Sequence, residues 1–140
     1  MSGQLTKASE DRLKKVRRAL LHLHKLLLDV ERATYEQVRG RVSSGQLLQL
    51  VINHEQFAWL RALSELIVRM DEMLDSDETV SDAEAITLLG EARDLLKPSE
   101  SGTNFQQKYH TALQREPDVV LAHREVLQNL DRKEDISSPQ

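Results

Sequence analysis

Leu13, Val16, Leu20, Leu23, Leu27 and Val30 follow one another at intervals of three and four residues, the repeat of one face of an α-helix. Leu60, Leu63, Ile67, Met70 and Leu74 repeat the pattern. The two stripes predict a long antiparallel helical hairpin over 5–74. Its first arm runs from about Leu5 to about Val38, roughly 50 Å at the helical rise. Ser9 offers a later start, with Glu10 and Asp11 in its first turn. Gly40 suits a left-handed C-cap, and Ser43 or Ser44 can cap the second arm, which runs from about Gln46 to Leu74.

Further along, Ser81 and Glu84 form a capping box ahead of Ala85, Leu88, Leu89, Ala92 and Leu96. Pro98 disfavours helix at Lys97 and ends that element. Another helix starts near Thr103 or Asn104 and turns Phe105, Tyr109, Ala112 and Leu113 inward. Pro117 lacks an N–H, so a kink or break is expected near Arg115–Glu116. The last segment carries Val119, Val120, His123, Val126, Leu127 and Leu130. No stretch alternates apolar and polar residues with β-branched enrichment, as a strand would. The fold class expected is therefore all-α: an antiparallel four-helix bundle, made of the hairpin plus two shorter helices, the last kinked or broken at Pro117. One domain over 1–130 and a flexible C-terminal tail over 131–140 complete that expectation.

The faces of the hairpin are not uniform. On a helical wheel Gln49, Asn53 and Gln56 point the same way as Leu60 and Leu63, so the stripe turns polar over two turns. Leu47, Leu50, Val51 and Ala58, with His54 between them and Phe57 at the edge, form a second apolar face. On the first arm Leu21, Leu28 and Tyr35 lie to one side of the main stripe. Two apolar faces on a helix need two surfaces to cover them. Either the remaining helices do so, or a protein partner does, most simply a second subunit about a two-fold axis. The partner reading makes Leu21, Leu28, Tyr35, Leu47, Leu50, Val51 and His54 the interface. A rival reading makes Gln49, Asn53 and Gln56 a polar pocket for a small molecule or metal inside the bundle. A third leaves that polar row exposed where the bundle ends.

Charge supports the hairpin. Lys14, Lys15, Arg17 and Arg18 lie near its start and Asp71, Glu72, Asp75, Asp77 and Glu78 at its end, which an antiparallel fold sets side by side. The basic cluster is short and has no interleaved aromatic residue, and the chain's formal net charge of −4 argues against nucleic acid as the partner. Charged residues make up 30% of the chain and apolar ones 39%, the balance of a folded domain and not of a disordered chain. With no cysteine, disulfides, thiolate metal sites and cysteine nucleophiles are excluded. Met1 to Ala8 lacks the apolar core of a secretory signal, and no apolar run approaches the roughly 18 residues of a membrane span. No membrane partner is expected, and a cytoplasmic location follows by elimination.

Catalytic and metal chemistry find little support. No Glu-x-x-His or His-Glu-x-x-His motif occurs. His22 and His24, two residues apart on a helix, point away from one another. His54, His110 and His123 would have to converge from separate helices. Ser43, Ser44 and Ser64 lie in nothing like a nucleophile elbow, and no glycine-rich phosphate loop is present. Trp59 falls beside Leu63 and Met70 on the wheel, a core position. The expectation is thus a protein without catalytic residues, metal or cofactor. It acts by protein contact, as a homodimer or as an adaptor for another partner.

Overall fold

The computed structural model describes residues 5–76 and 80–131. Among them the chain is helical throughout, with no strand. α1 (Lys7–Arg39) is followed by α2 (Ser44–Asn53), a 3-10 turn (Glu55–Leu60), α3 (Arg61–Asp75), α4 (Asp82–Leu95), α5 (Asn104–Arg115) and α6 (Pro117–Asp131). Of the expected tail, Asp131 is the last residue of α6 and pairs with Arg93 of α4. The remainder of that tail, like Asp77 and Glu78, lies outside the described residues.

The boundaries follow local chemistry. α1 starts at Thr6, whose hydroxyl accepts from the Ser9 N–H, so the cap lies three residues before the alternative at Ser9. It ends at Gly40, which takes φ +86°, a backbone angle that costs glycine little. Ser43 with Gln46, Ser81 with Glu84 and Thr103 with Gln106 each form a reciprocal capping box. Glu116 is extended, as a residue before proline prefers. Pro117 therefore separates α5 from α6 outright and does not bend a single helix.

The second arm of the hairpin departs from expectation. Between Gln46 and Leu74 the helix breaks at His54, which is extended (φ −90°, ψ 134°) and leads into the 3-10 turn before α3 resumes. Neither glycine nor proline stands there. A continuous helix would carry Gln49, Asn53 and Gln56 on the buried side of α3, and a buried amide without a partner costs about 1–3 kcal/mol. With the break, Gln49 and Asn53 are exposed and Gln56 is hydrogen-bonded to Glu31, so the conflict does not arise.

The buried side chains of α1, the 3-10 turn, α3, α4, α5 and α6 form one apolar cluster reaching from Leu13 to Leu130. α1 lies against α3, α4 and α6, and α5 leans on α6 and the 3-10 turn. Arg17 of α1 and Asp71 of α3 pair at 2.9 Å, the juxtaposition of basic start and acidic end that the charge pattern implied. α2 contributes nothing to the cluster.

Candidate functional site

The geometry around α2 is built from its two ends. On the entry side, Arg32 donates to the Val42 carbonyl at 2.7 Å, and the Glu36 carboxylate accepts from the Val42 N–H at 2.9 Å. That N–H, then the Arg32 guanidinium, holds the Glu36 carboxyl below the usual carboxylate range. The Ser43 capping box then launches the helix.

On the exit side, the His54 ring Nδ1 accepts from the Gln56 N–H at 3.0 Å, and Arg61 donates to the Ile52 carbonyl at 3.1 Å. The Gln56 side-chain amide reaches the Glu31 carboxylate of α1 at 2.9 Å, and the Trp59 indole N–H takes the second carboxylate oxygen at 2.9 Å. Tyr35, His54 and Phe57 form a ring cluster with centroids 5.5–6.2 Å apart. α2 is thus fastened to α1 and α3 at both ends.

Between these clasps the helix is apolar and largely uncovered. Five of its ten residues are aliphatic, Leu47, Leu48, Leu50, Val51 and Ile52, and not one residue of the helix is buried. Leu47, Leu50 and Val51 are half-covered. Leu48 and Ile52, one turn apart, are 57% and 52% exposed. Gly45, Gln49 and Asn53 share their face and are also exposed. Ser44 to Asn53 contains no charged residue. Arg39 and Arg41 stand exposed before it and Glu55 after it.

The residues singled out from sequence are distributed as follows. Leu21 is 47% exposed on α1, whereas Leu28 packs against the core cluster. Tyr35 and His54 are half-buried and face one another. Gln49 and Asn53 are exposed and hydrogen-bonded to one another at 3.2 Å, while Gln56 turns away from them to Glu31. The three amides therefore do not line one pocket. Two clefts, of about 550 and 390 Å³, lie elsewhere. The larger is floored by Met73, Val80 and Leu88 between α3 and α4, and the smaller lies beside Leu26, Val30 and Val119.

The histidines do not converge. His54 lies with Tyr35 and Phe57, His110 with Glu100 and Gln114, and His123 with Tyr109. Among the described residues, no group of three or more histidine or carboxylate side chains is placed to hold a metal ion. Trp59 is buried, in contact with Phe105, which stacks on Tyr109. The Tyr109 hydroxyl lies 2.7 Å from His123 Nδ1. Burial pushes the tyrosine pKa far up and the histidine pKa down, so a protonated phenol faces a neutral imidazole. In the basic cluster, Arg17 is committed to Asp71 and Lys14 to Glu10 at 3.3 Å. No helix among the described residues is long and apolar enough to cross a membrane.

Sequence reasoning missed Leu48, Ile52 and Glu31. The first two were hidden because the wheel assumed one continuous helix. Glu31 was legible: it stands four residues beyond Leu27, on the continuation of the buried stripe. Comparison with family models, curated proteins and solved structures finds no match.

Proposed function

We propose that this chain is a non-enzymatic helical protein that works by protein contact, and that α2 is its docking element. The contacts of α1 with α3, α4 and α6 support the antiparallel four-helix arrangement as its scaffold. One observation carries the reading. The helix is secured at both ends by polar clasps, yet holds Leu48 and Ile52 out to solvent and gives no residue to the core. A helix whose apolar residues served only the fold would bury them. Rigid presentation of an apolar, charge-free face spares a partner the ordering cost that binding otherwise imposes.

The test is site-specific photo-crosslinking in cells, with a photoreactive residue at Gln49 and, as control, at Leu121, an exposed apolar position on α6. The expected result is a discrete adduct from position 49, lost when Leu48→Lys and Ile52→Lys are added, and none from position 121. No adduct from position 49, or the same adduct from both, contradicts the reading.

A further inference from the structure

Resting on α2 as the docking element, we propose that its occupant is a second copy of this chain, whose α2 lies antiparallel across this one about a two-fold axis. Gly45, Leu48, Gln49 and Ile52 of the exposed stripe are self-complementary in that orientation, with Asn53 opposite Ser44 of the partner subunit. With the axis between Leu48 and Gln49, Ile52 of one subunit falls opposite Gly45 of the partner subunit. A bulky side chain then meets a position with open space, for nothing lies within 4 Å of where a Cβ on Gly45 would stand. Leu48 falls opposite Gln49 of the partner subunit, so each apolar knob is flanked by an amide able to bond across the seam.

Charge selects the same orientation. The entry end of α2 carries exposed Arg39 and Arg41, beside the Glu36 that holds Val42, and the exit end carries exposed Glu55, beside the Arg61 that holds the Ile52 carbonyl. Antiparallel pairing brings Arg41 toward Glu55 of the partner subunit, twice per dimer. Parallel pairing would set arginine against arginine and glutamate against glutamate. The helix dipoles also oppose one another only in the antiparallel case. Within the helix no charge has to be desolvated, which removes the usual penalty for closing such a face.

A ten-residue helix spans about 15 Å. One helix crossing covers less than the roughly 800 Å² per partner of a long-lived complex. The dimer therefore dissociates on dilution.

Sedimentation velocity of the full chain over a concentration series tests the proposal. The mass should rise from one chain towards two as concentration increases. Leu48→Lys with Ile52→Lys should remain at one chain throughout. Arg41→Glu alone should weaken pairing by roughly tenfold, and adding Glu55→Arg in the same chain should restore it, since each copy then carries the reversed pair. Helical circular dichroism on every variant separates lost pairing from lost folding. One chain at every concentration overturns self-pairing. So does a dimer indifferent to the lysines, or a charge reversal that is not rescued. The crosslinks from Gln49 keep the two claims apart: an adduct with a different protein leaves α2 a docking element without self-pairing, and no adduct removes both.

Discussion

Tyr109 shows how a single polar group is accommodated in this core. Its ring is 0% exposed and stacked on Phe105, and its hydroxyl reaches His123, which is only half-buried. The phenol is kept from being an unpaired buried donor at the cost of holding an imidazole neutral. Burial lowers the His123 pKa, and that of His24 on α1 likewise. Because both native values lie below the ordinary value near 6.5, the unfolded chain binds protons first as pH falls. The contribution of these two histidines should be constant above that value, should decline as pH drops below it, and should level off beneath their native pKa values. Urea midpoints measured across this range check the sign, and Tyr109→Phe should lower stability at neutral pH by about 0.5–1.5 kcal/mol. A midpoint that rises on acidification would contradict the assignment of a neutral His123. Tyr109 as a core residue was legible from its spacing to Phe105. Its link to His123 was not, since it depends on how α5 folds back against α6 across the break at Pro117.

At the scale of elements, the starts and stops carried by caps and prolines were readable, because each depends on residues adjacent in sequence: Gly40, Ser43, Ser81, Thr103 and Pro117 all act where expected. The break at His54 is different in kind. Its local cap is weak, and what completes it is Glu31, more than twenty residues away, accepting from Gln56 and Trp59. The shift in phase between the polar row Gln49–Asn53–Gln56 and the stripe from Leu60 was the visible symptom, and a rigid-helix wheel turned it into a second face on one helix. This assigns Glu31 a definite task, to anchor the turn that sets α2 aside. Glu31→Ala strands the Trp59 indole N–H and leaves the Gln56 amide only the backbone carbonyl of residue 31, now at 3.2 Å. The expected loss is about 1–3 kcal/mol in urea unfolding, together with a shift in Trp59 fluorescence as the indole loses its acceptor. Unchanged stability and emission would mean that the clasp is incidental.

For the molecule as a whole, the core closes without α2. The apolar cluster draws on every other element, and the remaining large exposed aliphatic residues among those described, Leu21, Val38, Val68, Ile86 and Leu121, are spread over α1, α3, α4 and α6. Leu48 and Ile52 are the pair that share one face of a helix with no charge. That contrast, between apolar residues the fold uses and apolar residues it sets aside, is the centre of the account. It is tested most directly by the urea stability of Leu48→Lys with Ile52→Lys, measured at a concentration where the unaltered protein is a single chain. Lysine is a good helix former, so propensity is little disturbed. The expected change is within about 0.5 kcal/mol, the range for surface substitutions. A loss of about 2 kcal/mol or more, the range for residues packed in a core, would contradict it and return α2 to the fold.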